Sequence, residues 1–372
     1  MRQARIGFSG QLADATFRFE TDAPDLAAYA RAHLGLLATT ETAAPTIRAT
    51  LRWHDAQPPA QRPPDVAQMP RVDRDIYCDG ERLHWFRVDD LRDLFLHFTW
   101  QDDHLVVEGD FYHRLGNRPL TDRLRRVQNW SRRDALRRRR FTTLLAYLVY
   151  YPCWWWLEQT RDLHPIHAAG VATDAGVIVL AGASGVGKST LAVALAGAPG
   201  ARLLSDSFVL HNGLDVRAVR EPILLDAWSR RWLGPTAAAL QPIVGHFVLN
   251  RHGYQMPPRR AADAGRAALL LFPRRTREPS VQRLSAARAH QRLSAADLII
   301  NDLRRYWAFA AVLEQLAPAG LVARREAQLA KLTATIPCYE IGVTADTTSA
   351  AITDQIMRLL SDQPLRVAGG RQ

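Results

Sequence analysis

An α/β fold is predicted for residues 161–372 on three observations. Short apolar runs alternate there with helical patterns. One such run, residues 176–181, leads directly into Gly182-Ala183-Ser184-Gly185-Val186-Gly187-Lys188-Ser189 and then into an apolar helix. A second run, Leu203-Leu204-Ser205, ends in the carboxylate of Asp206. A glycine-rich turn between an apolar strand and an apolar helix is the pattern of a P-loop nucleotide-binding domain. Residues 1–160 lack this alternation and read as an α+β accessory unit. At 372 residues the chain is long for one compact domain and sufficient for two.

In chain order, residues 15–21 alternate as a strand, 25–37 carry a helical pattern, and the repeated prolines of 58–70 mark a loop. Residues 74–88 read as a hairpin, because two strand-like runs flank Asp79-Gly80, a pair that tolerates positive φ. Another strand is expected at 104–111. From Asn129 the character changes to a basic helix, 132–151, ending at Pro152, and the domain boundary is expected near residue 160. Strands then follow at 166–171, 176–181, 201–205 and 208–211, with a helix at 188–196. A buried strand at 267–272, a helix at 302–316, a strand at 338–343 and a closing helix at 347–360 complete the second unit. No internal repeat is present.

Composition narrows the class. Hydrophobic residues make up 47% and charged residues 23%, the profile of a folded globular chain. The net charge of +11 suits an anionic partner without choosing among nucleotide, phosphoprotein, RNA and membrane surface. Cys78, Cys153 and Cys338 are far apart and form no C-x-x-C pair, which predicts neither zinc site nor disulfide framework and a cytoplasmic setting. The first ten residues carry Arg2 and Arg5 but no apolar core, so no signal peptide is expected. Residues 141–157 are apolar and aromatic, but they reach only the lower limit of a spanning length and contain Pro152. They read as a buried or interdomain helix rather than a membrane contact, with Trp154, Trp155 and Trp156 filling a core.

The chemistry is concentrated in the glycine-rich loop. Its glycines let backbone N–H groups converge on phosphates, and the helix that follows adds the partial positive charge of its N-terminus. Gly182, Ala183, Ser184, Gly185, Val186, Gly187, Lys188, Ser189 and Thr190 are therefore the nucleotide-binding candidates. Lys188 is expected to bridge β- and γ-phosphate oxygens and the Ser189 hydroxyl to bind Mg²⁺. Only Lys188 and Lys331 among the 48 basic residues are lysines. A lysine kept in the loop of so arginine-rich a chain points to a compact ammonium that a guanidinium fork does not replace. Asp206, at the carboxyl end of its strand, is expected beside the phosphates as a magnesium partner. The bland alternative is a loop or capping aspartate.

His167, fifteen residues before Gly182, then the loop, then Leu204-Ser205-Asp206 together resemble HPr kinase/phosphorylase and the wider HPr-kinase-like group, whose core is related to phosphoenolpyruvate carboxykinase. The resemblance is good over residues 163–210 and weaker through Arg220-Glu221-Pro222, 267–272 and 336–360. It implies transfer of the ATP γ-phosphoryl group, with Mg²⁺, to a hydroxyl of a peptide, a protein or a small metabolite. It also places Asp206, Lys188 and His167 in the catalytic centre, His167 near the carboxylate. A lone histidine is more often structural, and that reading stays open for His167. Ser207 stands where the family usually has a second aspartate, so one carboxylate is present where two are usual. The phosphorylase signature and the glycine-rich carboxy-terminal loop are absent, which argues for a kinase alone.

Glu221 could fold back to supply the missing carboxylate. Arg274, Arg275 and Arg277, after the strand at 267–272, could reach phosphate or an anionic substrate, or lie on a solvated basic loop. Arg132, Arg133 and residues 137–140 could bind RNA, but their aromatic neighbours form one apolar block and no RNA-binding fingerprint appears. A homo-oligomer is compatible with the sequence. The rivals of a kinase are a nucleotide-gated binding module without transfer activity, a P-loop ATPase and a kinase acting on RNA.

Overall fold

The computed structural model describes residues 5–39, 44–54, 56, 58–59, 62–88, 91–112, 140–248 and 250–362. Of the basic stretch, Arg132, Arg133, Arg137, Arg138 and Arg139 lie outside the described residues.

The amino-terminal region is a mixed sheet of eight strands: β1 (Ile6–Leu12), β2 (Ala15–Thr21), β3 (Ile47–His54), β4 (Arg71–Asp73), β5 (Ile76–Cys78), β6 (Arg82–Trp85), β7 (Leu94–Gln101) and β8 (His104–Tyr112). Their order is β1-β2-β3-β8-β7-β6-β5-β4. β3 runs parallel to both β2 and β8; the chain crosses from β2 to β3 through α1 (Pro24–Leu34) and from β3 to β8 through β4–β7. The expected hairpin forms as β5 and β6 around Gly80, whose φ is +94°. Within the proline-rich stretch a short helix, α2 (Pro64–Ala67), forms instead of pure loop, with Pro64 in its first turn where no N–H is needed.

The apolar stretch 141–157 is helical and buried, and the helix does not stop at Pro152. A π-helical turn, Ala146–Tyr150, precedes α3 (Tyr151–Arg161), and the Tyr151 N–H bonds to the Ala146 carbonyl five residues back. Proline, with no N–H to place, follows at the first turn of the α-helical segment. Tyr147, Leu148, Trp154 and Trp155 pack in one core with Phe17, Phe19 and Phe98 of the first sheet and with Leu303, Tyr306 and Phe309 of the carboxy-terminal region. No described helix is long and apolar enough to cross a membrane.

The second sheet is mixed rather than wholly parallel. It contains β9 (His164–Ile166), β10 (Ala168–Thr173), β11 (Gly176–Ala181), β12 (Arg202–Ser205), β13 (Val209–His211), β14 (Asp215–Ala218), β18 (Ala264–Arg275), β19 (Ser280–Leu284) and β20 (Cys338–Val343). The single strand expected at 166–171 is thus broken at His167. β11 and β20 lie parallel to β18, and β10 is antiparallel to both β11 and β12. Five of the six β11 residues are fully buried, because both faces of the sheet are covered. On one face lie α4 (Lys188–Leu195) and the carboxy-terminal helix (Ser349–Ser361). On the other lie the helices Ala286–Ile299 and Leu321–Thr335. A small sheet of β15 (Ile223–Leu225), β16 (Gln241–Val248) and β17 (Arg251–Gln255), with the helix Ala227–Leu233, stands beside α4.

A buried ion pair ties α3 to this half. Arg325 donates to both carboxylate oxygens of Glu158, at 2.6 and 2.5 Å, while Tyr306 and His164 bond to the same group. Arg325 and these bonds hold Glu158 down to about 2 against the upward push of burial.

Candidate functional site

β11 and β12 point the same way, each antiparallel to β10 between them, so Gly182 and Asp206 emerge at the same edge of the sheet. The loop turns through Gly182, Gly185 and Gly187, with φ of +134°, +82° and +96°. An added Cβ at Gly185 or Gly187 would meet nothing within 4 Å, so the glycines answer to backbone conformation under an open face. Gly187 caps α4 without any side-chain hydrogen bond. The first-turn N–H groups, which have no intrahelical partner, are thus available to an anion.

Lys188 is 5% exposed and folds back over the loop, donating to the carbonyls of Gly182 at 2.7 Å and Ala183 at 2.9 Å. Burial lowers its ammonium to about 8, partly offset by Asp297. Asp297 lies near the end of the helix Ala286–Ile299 and is 1% exposed. One of its oxygens accepts the His167 N–H at 3.1 Å and the other has no partner. Burial raises its carboxyl to about 7. His167 lines the same cavity as Lys188, its ring edge-on to Phe208. Burial, then the charge of Lys188, pushes the imidazole down to about 3. Its neutral form therefore predominates at physiological pH.

The Ser189 hydroxyl donates to the Asp206 carbonyl at 2.9 Å, and Thr190 reaches Ser229 at 3.4 Å. Asp206 is buried, which raises its carboxyl to about 7 despite hydrogen bonds from Ser207 and Ser189. Glu221 is raised to about 8, first by burial and then by the negative charges of Asp206 and Asp302. Neither Asp206 nor Glu221 makes an ion pair among the described residues. The turn before β15 thus places a second carboxyl group, Glu221, on the cavity that Asp206 lines. Arg220 faces Asp263 instead, at 2.5 Å. No cluster of three or more histidine, cysteine or acidic side chains suited to a metal is found among the described residues. Magnesium usually needs only one or two carboxylates besides phosphate and water, and the hard oxygen donors Ser189, Asp206 and Glu221 fit it.

These groups line one cavity of about 450 Å³, within the ordinary range for a small-molecule site. Gly185, Gly187, Lys188, Ser189, Asp206 and Glu221 lie on its wall, with Arg251, Trp228 and Asp226 toward the small sheet. His33 of α1, Thr142, Thr143, Tyr150, Tyr151 and Trp154 wall it from the amino-terminal side. Of the arginines expected on a loop, Arg274 and Arg275 sit instead at the end of β18, which continues to Arg275 by pairing with β20, while Arg277 lies in the bend that follows. Strand alternation separates the first two. Arg275 lines the cavity, whereas Arg274 turns to Glu340 at 3.6 Å, a correction to its place among the phosphate candidates.

Arg251, Trp228 and Asp297 were not singled out by sequence. Only Trp228 had a local signal, the Asp226-Ala227-Trp228-Ser229 helix start, where Asp226 accepts the Ser229 N–H at 2.7 Å.

No family model and no curated protein matches the chain. Among solved structures, the Hpr(Ser) kinase/phosphatase from Coxiella burnetii superposes with a TM-score of 0.26 at 12% identity, over 54% of this chain and 99% of that one. That agreement is too loose to transfer a role to any residue, so what the cavity can do follows from its own side chains.

Proposed function

We propose that this chain is an ATP- and Mg²⁺-dependent kinase that transfers the γ-phosphoryl group to a hydroxyl of a peptide, a protein or a small metabolite. The observation that carries the reading is the meeting of Lys188, Ser189, Asp206 and Glu221 on one cavity at an uncapped helix N-terminus. Lys188 would exchange its bonds to the Gly182 and Ala183 carbonyls for β- and γ-phosphate oxygens, while loop N–H groups orient the chain of phosphates. Arg275 and Arg251 add positive charge on the same wall. Ser189, Asp206 and Glu221 are the residues that would hold Mg²⁺, which when bound neutralises phosphate charge.

Phosphoryl transfer has a loose transition state in which the acceptor loses its proton late, so positioning and electrostatics dominate over a strong base. A neutral His167 fits that requirement as an orienting group. The wall of Thr142, Tyr150 and Trp154 would receive the acceptor on the carboxylate side, giving the amino-terminal unit the task of selecting it. The test is γ-labelled ATP incubated with the protein and with protein, peptide, amino-acid and RNA pools. Label retained on a hydroxyl acceptor supports the kinase. Free phosphate alone would make the chain an ATPase, and no turnover at all a binding module.

A further inference from the structure

We infer that Trp228, backed by Trp232, is the platform on which the nucleotide base stacks. The inference rests on the P-loop reading above. Trp228 is 53% exposed yet lines the cavity, an unusual position for the most costly apolar side chain to leave wet. The Trp232 ring lies nearly parallel to it, at 17° and 6.4 Å between centroids, and is itself pinned by its Nε1–H to the Thr347 carbonyl at 3.0 Å. Trp228 is thus a braced, flat surface. Its helix touches the phosphate-binding helix at the first turn, through Ser229 and Thr190. Asp206, Glu221 and Asp302 act on one another electrostatically and suit metal and acceptor rather than base. Trp228 lies with Arg251 and Asp226 on the part of the wall beside the phosphate-binding helix, and it is the exposed aromatic among the described lining residues.

Stacking uses the π-face that every base has, so this platform should hold adenine and guanine alike. The experiment is calorimetric binding of Mg-ATP, Mg-GTP and Mg-tripolyphosphate to the full chain and to Trp228→Ala and Trp228→Phe. Trp228→Ala should weaken both nucleotides on the order of tenfold or more, the usual worth of one stacked base, and leave tripolyphosphate unchanged. Trp228→Phe should recover most of the loss. Unchanged ATP affinity in Trp228→Ala would overturn the inference, as would an equal loss for tripolyphosphate, which would mean a distorted loop. If the wild-type chain binds neither ATP nor tripolyphosphate, it is the P-loop reading that has failed.

Discussion

Asp206→Asn should make the unliganded protein more stable above neutral pH while disabling it. The Asp206 carboxyl has an ordinary value of 3.8 and is raised to about 7 by burial. Below pH 4 the folded and unfolded chains both keep the proton and nothing is lost. Between about 4 and 7 the unfolded chain releases its proton while the folded chain holds it, so stability falls as pH rises. A difference of about 3 units at 1.36 kcal/mol each gives about 4 kcal/mol lost by pH 8. Asparagine keeps the shape and removes the charge, and it relieves Glu221, which Asp206 pushes upward. At roughly 1 to 2 °C per kcal/mol for a chain of this size, the variant should gain about 4 to 8 °C over wild type between pH 4 and pH 8.

The assay is thermal unfolding of both proteins across that pH range with chelator present, then repeated with Mg-ATP. Ligand should stabilise the wild type by mass action and the variant much less, and turnover should fall about 10³-fold as the electrostatic support for the phosphates is lost. A stability difference that is flat with pH, or grows toward acid, would refute the buried-carboxylate argument. Turnover within tenfold of wild type would remove Asp206 from the transfer site.

Lys188→Ala should lower turnover by about 10² to 10³-fold with the fold intact, and Lys188→Arg nearly as much, since the fork cannot fold back over the loop; steady-state kinetics with circular dichroism checks both. Arg275→Ala should reduce kcat/KM for ATP by about tenfold, the worth of one hydrogen bond to a charged group, whereas Arg274→Ala should stay within about twofold. Glu158→Gln leaves Arg325 buried without its ionic partner, so the full chain should lose about 3 to 5 kcal/mol, read by urea unfolding.

The parts legible in the sequence are those where chemistry and chain continuity coincide. The glycines, Lys188 and Ser189 are consecutive, and the six-residue apolar strand before them declares a buried central position by composition alone. The strand at 338–343 and the first-sheet strand at 15–21 were also visible, the one as a short run rich in apolar and β-prone residues around Glu340 and the other as strict alternation. β18 was read short because its ends are Gly265-Arg266 and Arg274-Arg275. Those ends are strand only because β14 pairs with one and β20 with the other, which no local pattern records. Pro152 signalled a helix end, and the π-helical turn before it removed the conflict that the signal assumes.

Glu221 shows the limit most sharply. The residue at 207 that the resemblance led one to expect as aspartate is serine, and read along the chain the site has one carboxylate. The turn before β15 brings Glu221 to the cavity that Asp206 lines; burial raises both carboxyls, and the charge of Asp206 raises Glu221 further. The residues that wall the cavity from the amino-terminal side are further still from the loop in sequence. His33 reaches the cavity from α1 and bonds to His246 of β16 at 2.9 Å, so the amino-terminal unit and the small sheet beside α4 are clasped across the site. A phosphate cradle needs one short segment and survives in sequence as a motif. An acceptor pocket needs side chains from α1, the π-helical turn and α3 held in register by packing. That is why the glycine-rich loop was readable in the chain and the opposite wall of its cavity was not.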